Sequence, residues 1–151
     1  MRIVIHNNDM SGPIKNRPTI QIAESVLTSA EEILAGIPAN LSPMIVEHEN
    51  LPDYWFCKAW FVANGVVNVD MNKARELHRD RLRGARFNKL AELDVAFQRA
   101  LETGADTKEI VAKKQELRDL PKDQRIDVAT NTDELKAFWP EFLGKSCYIH
   151  D

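Results

Sequence analysis

A chain of 151 residues can bury a core without disulfides or metals, and it allows one domain or one small domain with an appendage. With 44% hydrophobic and 28% charged residues it has the composition of an ordinary globular protein. The net charge of -3 excludes the summed positive field of a general nucleic-acid or membrane-surface binder, so any basic site has to be local. No apolar run approaches the roughly 20 residues that span a bilayer, and Met1 to His6 lacks the apolar stretch of a secretory signal. A cytoplasmic protein is expected. Cys57 and Cys147, the two cysteines, have no metal or redox spacing, which predicts free thiols, with a disulfide between them the lesser alternative.

Arg2 to His6 reads as a short strand rich in β-branched residues. The breakers Asn7-Asn8-Asp9, Ser11-Gly12-Pro13 and Arg17-Pro18 then predict a long exposed loop. Ser29 followed by Glu32 fits a capping box, opening a short helix that stops at Gly36-Ile37-Pro38. Met44 to His48 suggests another strand, and Leu51-Pro52-Asp53 turns the chain. Trp55 to Ala63 is dense in aromatic and β-forming residues and reads as a strand that buries Cys57. Asn64-Gly65 before Val66, Val67 and Val69 is a two-residue hairpin signal, since both turn positions favour positive φ. These elements predict one small antiparallel sheet whose Trp55, Phe56, Trp60 and Phe61 close a face against Ile33, Leu34 and the opening of the next helix.

Asp70 is a good helix N-cap. Apolar residues then recur three or four apart through Met71, Ala74, Leu77 or His78, Leu82, Ala85, Leu90, Leu93, Phe97 and Leu101. A helix from Asp70 to about Glu102 is predicted, ending at Thr103-Gly104-Ala105-Asp106. Asp106 or Thr107 caps a return helix with Ile110, Leu117 and Leu120 on one face, stopped by Pro121. A short loop between two helices makes them antiparallel. Asn131 or Thr132 caps a further short helix carrying Leu135, Phe138 and Trp139, with Phe138 assigned to the core and Trp139 open to either core or partner contact. The tail from Lys145 to Asp151 carries little pattern beyond Tyr148 and Ile149.

Chemistry-bearing patterns are sparse. His6, His48, His78 and His150 have neither zinc-protease spacing nor paired cysteines, so solvated or locally hydrogen-bonded rings are expected and no metal or cofactor is assigned. A Cys57–His78 thiol–imidazole pair is a weaker reading than a packed thiol. Phosphate loops, dinucleotide fingerprints and nucleophile elbows are missing from the sequence, and Glu31-Glu32 and Asp133-Glu134 are explained by helix starts. A non-enzymatic protein is expected. The first half of the long helix departs from the charge balance, with Lys73, Arg75, Arg79, Arg81, Arg83, Arg86 and Lys89 opposed only by Glu76 and Asp80. Arg75, Arg79, Arg83 and Arg86 form a ridge that is either a solvated face or a contact for acidic protein surface, where planar guanidinium groups pair well with carboxylates. Nucleic acid is the weaker partner, because no aromatic residues interleave the ridge.

From Leu51 to Pro140 the motif order resembles the small tail proteins of tailed bacteriophages known as tail-fibre assembly chaperones. The likeness runs through Leu51-Pro52, Phe56 with Ala59-Trp60, Val69-Asp70-Met71 and Lys73-Ala74-Arg75. It continues in His78, Arg83, Ala85-Arg86, Leu90 and Leu93-Asp94, then Lys114 to Asp119, Asp133-Glu134-Leu135 and Trp139-Pro140. The resemblance implies a small β base bearing a helical hairpin, and a partner among tail-fibre or host-recognition proteins, met in the host cytoplasm during assembly. The alternatives are a permanent structural adaptor of the virion tail or baseplate and, more distantly, a small nucleic-acid-binding regulator.

The expected fold is α+β: a small antiparallel β-rich domain over 1–70, a long helical hairpin over 71–120 and a C-terminal helical segment and tail over 121–151. Candidate partner contacts are Arg75, Arg79, Arg83 and Arg86 on the ridge, Phe97 and Leu101 near the hairpin tip, and Trp139. The thin apolar stripe of the long helix is completed by its return helix or by a second copy of the chain, so self-association is one expected outcome.

Overall fold

The computed structural model describes residues 2–7, 20–23 and 28–148. The loop expected over 8–18, His150 and the end of the tail lie outside them. The protein is α+β: small antiparallel strands, then a long helix and shorter ones. The chain divides into two compact units, Met1–Ala74 and Arg75–Asp151, so the hairpin and the segment after it share one unit.

In the first unit, β1 (Arg2–Asn7) is the middle strand of a three-stranded antiparallel sheet, between β2 (Ile20–Ala23) and β3 (Met44–Glu47). The register sets Val4 opposite Ala23 on one side and Ile45 on the other. Helix α1 (Ala30–Gly36) opens with the expected capping box, Ser29 Oγ accepting from Glu32 N while Glu32 accepts from Ser29 N. Strands β4 (Trp60–Ala63) and β5 (Val66–Val69) form a separate two-stranded sheet, so the single sheet expected from the sequence is two. Their turn places Asn64 at φ 53° and Gly65 at φ 73°, the left-handed pair that matches the twist of the flanking strands.

The strand expected from Trp55 begins only at Trp60. The Asp53 side chain accepts from Trp55 N and starts the first of two 3-10 turns that meet at a kink at Phe56 and together cover Tyr54–Ala59, so local capping prevails there over the β propensity of the aromatic residues. Cys57 is consequently half-buried in those turns. Trp60 clusters with Ile3, Ile5 and Val67, a core in which neither Ile33 nor Leu34 is found among the described residues, and strand alternation turns Phe61 outward.

Helix α2 (Met71–Thr103) is capped by Asp70, whose carboxylate accepts from Asn72 N at 2.9 Å and Lys73 N at 3.2 Å. It ends in a Schellman arrangement in which Gly104 N donates to Leu101 O, Ala105 N donates to Ala100 O, and Gly104 takes φ 69°. Helix α3 (Lys108–Asp119) returns antiparallel to it, with Asp106 accepting from Lys108 N. Two short helices follow, α4 (Gln124–Val128) and α5 (Thr132–Ala137). Asn131 caps α5 as expected, whereas α4, capped by Asp123, was not read from the sequence. Buried residues of this unit include Leu82, Leu117, Leu120, Ile126, Leu135 and Leu143, with Phe138 among them as expected. Among the described residues no helix is long and apolar enough to cross a membrane.

Candidate partner-binding surface

The arginine ridge on α2 divides by helix geometry. Each four-residue step overshoots a full turn by about 40°, and a three-residue step falls short by about 60°. Arg75, Arg79 and Arg83 therefore drift around the helix, and the step to Arg86 turns back toward Arg79. The two ends of that drift meet different surroundings.

Arg75, Arg79 and Arg86 reach backbone carbonyls of the returning segment. Arg86 Nη1 donates to Leu117 O at 3.0 Å and Arg118 O at 2.6 Å, two of the carbonyls that the last turn of α3 leaves without a helical partner. A guanidinium there also meets the negative end of the α3 dipole. Arg79 Nε donates to Pro121 O at 3.1 Å, and its two terminal nitrogens pair with Glu76 and Asp127. Arg75 Nη2 donates to Ala129 O at 2.9 Å, where α4 ends. The Arg79 side chain keeps only 15% of its surface, against 46% for Arg83, which pairs with Asp80 at 2.6 Å. Three of the four ridge residues are thus engaged inside the unit, and Arg83 presents its guanidinium outward.

Nearer the tip, Lys114 joins the helices by pairing with Asp94 at 2.5 Å and lying 5.0 Å from the centre of the Phe97 ring. Phe97 is half-buried in that contact, while Leu101 is 59% exposed. Phe87, which the sequence stripe did not include, is 72% exposed and lies about half a turn from buried Leu82 and Ala100. Val95 and Val111 are also exposed. Phe87, Ala91 and Val95 follow one another at four-residue steps and form a line on the outer face.

Trp139 is half-buried, its Nε1 donating to Gly144 O at 3.1 Å. It borders an open cleft of ≈ 600 Å³ whose apolar lining includes Leu120, Phe138, Pro140 and Phe142. Four of the charged groups around that cleft, Asp119, Lys122, Asp123 and Arg125, pair among themselves. Arg125 holds Asp123 in two hydrogen bonds of 3.0 and 2.8 Å and lies 4.3 Å from the centre of the Phe138 ring. Lys122 pairs with Asp119 at 3.5 Å. Hydrogen bonds from Gln115 to Asp119, and from Arg125 to Asp123, hold both carboxyls below their usual range, so both are ionised near neutral pH.

His78 departs from the solvated or locally hydrogen-bonded ring expected of it. It is fully buried, 2.6 Å from the Tyr148 hydroxyl and surrounded by Phe138, Trp139 and Tyr148, so its partner is distant in sequence. Its position in the apolar stripe, where it competed with Leu77, was the signal for burial. Among the described residues no group of His, Cys, Asp and Glu is arranged to hold a metal ion, and Cys57 and Cys147 are free thiols. No protein-family model, curated protein or solved structure matches this chain.

Proposed function

We propose that this protein is a bacteriophage tail protein that binds a tail fibre or other host-recognition protein and assists its folding or assembly, without catalysing a reaction. The motif order from Leu51 to Pro140 supports that reading, and the outer face of the hairpin is the observation that carries it. Phe87, Val95 and Leu101 stand exposed on a helix whose opposite face is packed, an arrangement suited to covering apolar surface of another polypeptide. Arg83, the outward member of the ridge, supplies a charged contact beside Phe87. Trp139 and the adjoining cleft supply a second contact area, where the pairing of Lys122 with Asp119 and of Arg125 with Asp123 favours docking over proton transfer.

Burying a phenylalanine side chain contributes roughly 1.5 to 3 kcal/mol, so losing Phe87 from such a contact weakens binding by roughly 10- to 100-fold. The test is co-expression of the neighbouring tail-fibre gene with the wild-type chain, with the double variant Phe87→Ser/Leu101→Ser, and alone. A fibre that is soluble only with the wild type is expected. Equal solubility in all three arms would remove the assembly role. Stoichiometric recovery of the chain in purified particles by mass spectrometry would replace it with a permanent structural one.

A further inference from the structure

The least ordinary group in the second unit is the His78 ring. It has no solvent exposure, and its Nε2 makes no hydrogen bond among the described residues. Its Nδ1 lies 2.6 Å from the Tyr148 hydroxyl, and the two rings stack at 5.8 Å with 14° between their planes. Trp139 sets its edge against both, at 6.5 Å from His78 and 6.0 Å from Tyr148. Arg81 lies 5.0 Å from the centre of the tyrosine ring and donates to its hydroxyl at 3.2 Å.

We propose that Cys147-Tyr148 form a latch on α2 that closes over a neutral His78, and that protonation of the ring releases the latch. Because Arg81 donates to the tyrosine oxygen, the hydroxyl hydrogen is assigned to Nδ1 and the ring hydrogen to Nε2. A second ring proton, taken up from solvent at Nδ1, turns that acceptor into a donor. The tyrosine hydrogen then loses its acceptor, and a cation is left in a site closed to bulk solvent. The neighbouring charges oppose it as well. Arg79 and Arg81 on α2 are both cations, and Arg125 of α4 lies over Phe138, the ring on another side of His78. Desolvation raises the Cys147 thiol above its ordinary value, so it supplies no counter-charge near neutral pH.

Burial, reinforced by the two arginines and opposed by the Phe138 backbone, lowers the closed ring from 6.5 to about 4. An open ring titrates near its ordinary value. Latch closure is therefore fully favoured above about pH 6.5 and is lost as pH falls toward about 4, with a slope of up to about tenfold in the opening equilibrium per pH unit. Opening uncovers the Trp139 edge and the Arg81 guanidinium.

The experiment follows amide hydrogen exchange at Cys147 and Tyr148, corrected for intrinsic exchange, in the full chain from about pH 7.5 to about pH 4.5. The His78 ring is titrated in parallel by NMR. Opening of this segment is expected to rise at least about tenfold across the range while the amides of α3 keep their protection. Tyr148→Phe keeps the stack but removes the hydroxyl, and should raise opening at neutral pH about fivefold. Tyr148→Ala should return the His78 ring toward its ordinary value. Opening in the wild type that does not change with pH, or a His78 titration left unmoved in Tyr148→Ala, overturns the latch.

Discussion

The root of the helical hairpin, from Arg75 to Arg86, and its tip, from Leu90 to Thr103, share one helical period but are held in different ways. At the root, three guanidinium groups reach across to carbonyls where α3 and α4 end, and Leu82 and His78 are fully enclosed. At the tip, Ala100 is the buried residue and Lys114 bridges the helices through Asp94 and Phe97. The difference shows that a charged stripe on a helix can be internal wherever a neighbouring segment offers unpaired backbone acceptors. An apolar residue, by contrast, remains outside where the helix turns it away from the packed face.

The largest test of this contrast is the removal of an equal amount of side chain from each half. Leu82→Ala should destabilise the protein by roughly 2 to 5 kcal/mol, because the enclosed site cannot collapse around the lost atoms. Leu101→Ala should stay within about 0.5 kcal/mol, since that side chain is mostly in water already. Urea denaturation with an unchanged slope would measure both. Similar losses at the two positions would mean that the tip is as enclosed as the root, and would remove the exposed face on which the proposed partner binding rests.

A smaller and sharper test separates two members of the ridge. Arg86→Ala leaves the carbonyls of Leu117 and Arg118 without their donor and should cost about 1 to 3 kcal/mol, whereas Arg83→Ala gives up exposed pairs with Asp80 and Glu76 and should cost less than about 1 kcal/mol. The same denaturation series decides it. If Arg83→Ala proved the more damaging, the guanidinium–carbonyl contacts would not be what holds the root.

Much of the frame was legible because it depends on local chemistry. Asp70, Asn131 and the Ser29–Glu32 box are short-range hydrogen-bonding solutions, and Asn64-Gly65 is the pair that tolerates two positive φ angles. Apolar spacing located α2 and α3 to within a residue or two of their ends. The arginine ridge was legible as a ridge, but not its engagement. Its acceptors at Leu117, Arg118, Pro121 and Ala129 are main-chain carbonyls, and every residue has one, so sequence pattern cannot mark the ones a side chain will meet. The setting of His78 was hidden for a related reason, since its partner Tyr148 lies 70 residues away. The two 3-10 turns over Tyr54–Ala59 were missed because aromatic content was weighed above the Asp53 cap.

The smallest expected effect concerns the loop that joins the two halves of the hairpin. Gly104 adopts φ 69° in the Schellman arrangement, and a Cβ added there would meet nothing within 4 Å. Gly104→Ala should therefore cost only the left-handed strain of an L-residue, about 1 kcal/mol, without any steric term. Gly104→Asn should cost less, because asparagine tolerates that region. Hydrogen exchange can place the loss as well as size it. Protection should fall at Gly104 and Ala105, whose amides close the last turn of α2, while amides beside Arg86 keep theirs if the root is fastened independently of the loop. Loss that spread evenly from tip to root would show one cooperative hairpin, and the guanidinium contacts would then be supporting a structure that the turn already holds.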